Sequence, residues 1–124
     1  MSSVPEAFAF TSDHEWVESR GDISRIGITD FAQAALGDIV YVQLPKVGDA
    51  LEAGKVCGEI ESTKSVSDLF SPVTGVVSAV NDLLSNSPES LNSDPYGLGW
   101  IFEVSGGAVG STLTASEYRA AIGE

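Results

Sequence analysis

The chain has 124 residues, one domain's worth and enough to bury a core without disulfide or metal staples. A hydrophobic content of 43% excludes a disordered tail or a fibre. Acidic residues number 18 against 6 basic ones; the net charge of −12 repels nucleic acid and anionic membranes and suits partners with basic docking faces.

The first ten residues, MSSVPEAFAF, have neither the basic region nor the apolar stretch of a signal or transit peptide, and no apolar run approaches membrane-spanning length. The expected location is the cytoplasm. Arg20-Gly21-Asp22 separates Glu15–Ser19 from the alternating run Ile23–Ile28, which predicts a hairpin. Thr29-Asp30 offers a cap for a short helix over Phe31–Leu36, and Gly37 stops it. Asp38–Leu44 reads as a strand ended by Pro45. Val47-Gly48-Asp49 and Glu52-Ala53-Gly54 read as turns.

Residues 56–61 and 65–70 are two further strand candidates. Ser71–Gly75 reads as a turn in which Pro72 fixes φ and Gly75 supplies unusual backbone angles, followed by a strand over Val76–Val80. Residues 81–99 are polar and loop-like, with a helical turn at Asp82–Leu84. Trp100–Val104 reads as a final strand, Gly106-Gly107 as a flexible connection, and Thr114–Ile122 as a helix capped by Thr114 and stopped by Gly123. Many short strands between frequent turns predict an all-β sandwich or barrel with peripheral helices. Trp16 and Trp100 read as core or cleft-wall residues.

Cys57 is the only cysteine, so no internal disulfide forms, in keeping with a reducing compartment. In Val56-Cys57-Gly58 it reads as a small core residue. There is no metal-ligand cluster, phosphate loop or nucleophile elbow, so no catalytic residue is assigned.

The most informative segment runs from Gly48 to Asn81. Gly54 lies ten residues before Lys64 and Gly75 eleven after it, with a short strand on each side. This layout puts Glu61–Ser65 at a hairpin tip. A lysine there projects into solvent from a rigid backbone, which is what an enzyme that acylates its amine requires. Lys46 and Lys55, the other lysines, lie in loops without such symmetry. Spacing alone favours reading Lys64 as an ordinary surface lysine at a turn.

The segment Glu61-Ser62-Thr63-Lys64-Ser65-Val66-Ser67-Asp68, followed by Ser71-Pro72-Val73-Thr74-Gly75, closely resembles the lipoylation site of glycine cleavage system H proteins. His14-Glu15-Trp16, Gly27–Gln33, Leu36–Pro45, Asn92–Tyr96 and Gly99-Trp100 resemble other motifs of that family, in the family's order and over nearly the whole chain. Thr63 and Ser65 stand where the family usually has Val and Ala, Asp13 where it often has Ser, and Ser105–Thr112 looks shortened, which puts the packing of the last helix in question.

The resemblance implies one lipoyl-carrier domain over residues 1–124, with its hairpin core at about 48–81 and a terminal helix at about 114–122. The implied fold is a mainly β, lipoyl/biotinyl-type flattened barrel-sandwich of two antiparallel sheets with short peripheral helices. The implied cofactor is lipoate, amide-linked as N6-lipoyllysine at Lys64. On that arm an H protein carries the aminomethyl group of glycine from a pyridoxal-phosphate glycine decarboxylase to a folate-dependent aminomethyltransferase, and a dihydrolipoyl dehydrogenase reoxidises the dithiol. Lipoate-attaching enzymes are further partners, and visits to several enzymes fit a monomer. Acylation removes one positive charge, taking −12 to −13.

By position, Glu15 and Asp68 line the implied arm cleft, where a carboxylate pair would hold an ammonium. His14 either lines the same cleft or ends a strand with its polar groups satisfied by backbone. Rival readings are a lipoyl domain of a 2-oxoacid dehydrogenase, a biotin carrier, a lipoyl-relay protein and an enzyme. A biotin site would show methionines beside the lysine, and here Met1 is the only methionine.

Overall fold

The computed structural model describes residues 2–124. The elements in chain order are β1 (Ala9–Phe10), β2 (Glu15–Arg20), β3 (Ile23–Ile28), α1 (Asp30–Leu36), β4 (Ile39–Gln43), β5 (Ala50–Leu51), β6 (Val56–Ser62), β7 (Val66–Phe70), β8 (Val73–Val80), α2 (Leu83–Asn86), α3 (Ser90–Ser93), β9 (Phe102–Val109) and α4 (Ala115–Ala121). Strand order is β1-β2-β3-β9-β8-β5 in one sheet and β4-β6-β7 in the other, and every pairing is antiparallel. The two sheets face each other without closing into a barrel. This is the two-sheet, mainly β architecture expected from the sequence.

Alternation builds the core between them. Ile26 and Ile28 of β3, Ile60 of β6, Leu69 of β7, Val73 of β8 and Val104 of β9 all point inward and are buried. A second cluster lies outside this layer, where Phe10, Trp16, Ala115 and Tyr118 pack beneath α4. Trp16 lies flat over Gly27, its register partner, where a Cβ would come within 2.6 Å of the indole. The shortened run before α4 does not loosen the helix. Thr114 and Glu117 form a reciprocal capping box, and Tyr118 is fully buried.

Four expectations are corrected. β8 begins at Val73, so only Ser71-Pro72 makes the turn. Gly75 is no turn former. It lies within β8, where a Cβ would meet Val104 Cγ1 at 2.5 Å and Gly107 Cα at 2.9 Å. Gly106-Gly107 is no flexible connection, because β9 runs through it to Val109, paired with β8. All three glycines serve the β8–β9 pair: Gly75 and Gly107 allow close approach, and Gly106 takes φ 61° at an irregular register. The last strand also begins at Phe102 rather than Trp100. Trp100 instead lies beneath the Arg25 guanidinium, 4.4 Å from it, while Arg25 also pairs with Glu103 at 2.7 Å. The two-residue strands β1 and β5 and the single turn α3 carry no sequence signal of their own. No helix of the described residues is long and apolar enough to cross a membrane.

Candidate functional site

Lys64 lies in the three-residue connection of the β6–β7 hairpin and is exposed. The side chain of Ser62 organises this turn. Its hydroxyl accepts the N–H groups of Lys64 (3.2 Å) and Ser65 (3.1 Å) and lies 3.2 Å from the Ser65 carbonyl. The Ser62 N–H closes the turn on the same carbonyl at 2.8 Å. The N–H of Thr63 donates to the Asp38 carbonyl at 3.0 Å, which ties the tip to the segment entering β4. The lysine therefore stands on a backbone fixed from both sides.

Beneath its stem lies Gly37. A Cβ at that position would come within 3.1 Å of Lys64 Cε, and Gly37 has φ 81°, which favours glycine. Asn92 holds this corner. Its amide donates to the Gly37 carbonyl (2.9 Å) and the Gln33 side chain (3.0 Å), and its carbonyl accepts the Ile39 N–H (3.0 Å). That is the physical role of the first residue of the Asn92–Tyr96 motif.

Beyond Gly37 a cleft of about 230 Å³ runs between α1 and β7, the edge strand of the three-stranded sheet. Phe31, Ala32, Ala35, Leu36 and Ile60 make its walls apolar. Asp13, His14, Glu15, Ser67 and Asp68 supply polar groups. The structure thus brings Glu15, Asp68 and His14 to one cleft and places Lys64 beside the end of its α1 wall. Trp16 and Trp100 lie elsewhere.

The two carboxyl groups differ. Asp68 is exposed, whereas Glu15 is 2% exposed, and the Thr11 hydroxyl donates to its Oε1 at 2.7 Å. Burial pushes the Glu15 carboxyl up to about 8; the Thr11 hydroxyl and Phe70 backbone oppose the rise and Asp13 adds to it. At neutral pH Glu15 therefore keeps its proton for most of the time, which alters the expected carboxylate pair. A cation arriving beside Glu15 would favour the charged form. His14 both lines the cleft and ends a strand, with its backbone N–H and C=O bonded to Thr11 and Thr29 and its Nδ1 2.8 Å from the Tyr118 hydroxyl. Cys57 is half-buried against the edge of the core rather than within it; burial pushes its thiol up to about 12, with nearby Glu15 adding to the effect, so it stays a thiol.

Three residues of the site carry no signal in the sequence. Gly37 reads only as a helix stop and Ser62 as one serine among several. Tyr118 lies 104 positions from its partner His14. The paired serines on either side of Thr63-Lys64 are the one local hint that a hydroxyl organises the turn.

The glycine cleavage H-protein family model matches residues 8–121. The chain is similar to the glycine cleavage system H protein of Beutenbergia cavernae, 56% identical over 95% of both chains. It is also similar to that of Mycobacterium avium, 52% identical over the full length of both. The crystal structure of a glycine cleavage system H protein from Mycobacterium marinum superposes with a TM-score of 0.94 at 46% identity, covering 98% of this chain and all of that one. The chain belongs to the glycine cleavage H-protein family and is a carrier in glycine cleavage, not an enzyme.

Proposed function

We propose that Lys64 is the lipoyl attachment site and that the cleft between α1 and β7 receives the arm. The observation that carries this reading is the placement of one exposed lysine on a pinned hairpin tip, its stem lying over a bare glycine beside an apolar cleft with a polar floor. The residues fit an N6-lipoyllysine. Gly37 leaves the room that a Cβ would fill, and the cleft walls suit an alkyl chain.

Lipoate supplies the disulfide and thiol chemistry, and the chain supplies attachment, presentation and shelter. Lys64 offers its amine outward, and the Ser62 and Asp38 bonds present it in one geometry to a lipoate-attaching enzyme. Apolar contacts from Phe31 and Leu36 exclude water from the cleft. Asp68 and Glu15 favour a positively charged group there, and Glu15 supplies its negative charge by releasing the proton it otherwise holds.

On this reading the protein is a single-domain, monomeric cytoplasmic carrier. It takes the aminomethyl group from glycine decarboxylase to aminomethyltransferase, and dihydrolipoyl dehydrogenase restores the arm. Its acidic surface suits basic docking faces on these partners. Intact mass of the native protein with peptide fragmentation tests the attachment: the added lipoyl group maps to Lys64. Reconstitution with the three enzymes tests the pathway. A lipoylated protein that donates lipoate to other enzymes but fails to support glycine decarboxylation would overturn it in favour of a relay.

A further inference from the structure

Among the described non-glycine residues, His14 alone has a positive φ, 70°. A non-glycine residue in this region is strained and persists where its surroundings hold it. Here the His14 N–H donates to the Thr11 carbonyl at 3.1 Å, and its carbonyl accepts the Thr29 N–H at 3.0 Å. The ring is held separately. It packs 5.0 Å from Phe31 and meets Tyr118 edge-on at 5.8 Å, with Nδ1 2.8 Å from the Tyr118 hydroxyl. That hydroxyl also lies 2.8 Å from Thr29 Oγ1, which accepts the Ala32 N–H at 3.1 Å. Tyr118 is 1% exposed and stacks on Phe10.

These contacts form one chain from the Ala32 N–H through two hydroxyls to the imidazole. A phenol is a better donor than an aliphatic alcohol, and an imidazole nitrogen is a better acceptor than a hydroxyl oxygen. The strongest arrangement therefore runs Thr29 O–H to Tyr118 O and Tyr118 O–H to His14 Nδ1, each bond polarising the next. Burial holds the His14 pKa below its ordinary value against the pull of Asp13, so the ring is neutral at neutral pH. A neutral imidazole that accepts at Nδ1 carries its proton on Nε2.

We propose that Tyr118 is a positioning residue for the arm cleft: its hydroxyl fixes His14 as the Nε2–H tautomer and so presents one uncharged donor to the arm. An uncharged donor binds an acceptor atom of the arm and adds no positive charge to repel a loaded amine. The terminal helix thereby acts on the cleft through His14. This inference rests on the reading that the cleft holds the arm.

His14 is the only histidine, so its ring nitrogens need no assignment strategy. Long-range ¹⁵N–¹H correlation on the unlipoylated protein should show protonated Nε2 and unprotonated Nδ1, and Tyr118→Phe should shift the ring to a mixture of tautomers. A dominant Nδ1–H form in the wild type, or an unchanged spectrum in Tyr118→Phe, overturns the proposal. The second measurement is the lifetime of the aminomethylated arm, which hydrolyses as R–S–CH2–NH3⁺ + H2O → R–SH + CH2O + NH4⁺. Tyr118→Phe and His14→Asn should each shorten it several-fold, and the double variant should be no shorter-lived than His14→Asn. Asparagine tolerates the left-handed backbone, so His14→Asn decides the matter even if Tyr118→Phe does not fold. An adduct that lives no longer on the wild type than on free dihydrolipoamide overturns the cleft reading itself. An adduct protected equally in wild type and variants overturns only the role of Tyr118 and His14.

Discussion

The hairpins β2–β3 and β6–β7 turn in two and three residues, and they do so by different means. In β2–β3 the first turn residue is Gly21 at φ 66°, the type II′ pattern that matches the twist of paired strands. A Cβ there would meet nothing within 4 Å. In β6–β7 neither Thr63 nor Lys64 has a positive φ, so that turn is not of the primed kind that hairpins favour. Ser62 and the bond to Asp38 hold it instead. One turn rests on glycine's freedom and touches little; the other does without glycine and is fixed by side-chain and tertiary bonds. The site also uses opposite ends of the two hairpins. Glu15 comes from the base of the first, and Lys64 from the tip of the second.

That contrast is open to test at each point. Lys64→Arg should abolish lipoylation completely while leaving the thermal transition within a few degrees of wild type, as read by intact mass and calorimetry. Modification surviving in that variant would remove the tip from the site. Glu15→Gln tests the base of the first hairpin. The folded carboxyl holds its proton more tightly than the unfolded one, so its contribution to stability is full below about pH 4.5 and is lost as pH rises to about 8. Urea unfolding at several pH values should show wild type losing about 4 kcal/mol relative to the glutamine variant across this window. A parallel pH dependence in the two proteins would contradict a buried, proton-holding Glu15.

Gly21→Ala should cost about 1–2 kcal/mol by denaturant melt and leave the lipoylation rate unchanged, because that turn serves the fold alone. Ser62→Ala should cost only about 0.5–1 kcal/mol, since its hydroxyl bonds are exposed. It should nevertheless speed amide exchange at Lys64 and Ser65 and slow lipoylation. If the two variants exchanged roles, the division of labour between the turns would be wrong.

Local pattern made much of the fold legible. The Arg20-Gly21-Asp22 turn, the Thr29 cap and the Thr114 cap depend on neighbours in sequence, and all three stand as read. Gly75 and Gly107 were illegible because glycine serves turns and close approaches alike. Only the positions of Val104 and Thr74, brought near by β8–β9 pairing, separate the two uses. β1 and β5, at two residues each, are defined by their partners rather than by composition. In the proposed site, near-symmetry marked Lys64 only as a lysine at a hairpin tip, and resemblance made it the candidate for attachment. Glu15 and Asp68 were reached through resemblance, because nothing local marks one carboxylate among 18 acidic residues. The burial of Glu15 and the closeness of the Lys64 stem to Gly37 arise only from tertiary structure.

The hydrogen bond between His14 and Tyr118 spans 104 residues, whereas the bonds that shape the lysine turn lie within residues 38–65. A chain made from its N-terminus holds every residue of the second set long before it holds both partners of the first. On the proposed reading, the residues that present the attachment lysine are therefore made well before Tyr118, which orients His14 in the arm cleft, although both sets become ordered only as the one domain folds. Presentation thus draws on a short stretch of chain and shelter on its two distant ends, and one folding event completes both.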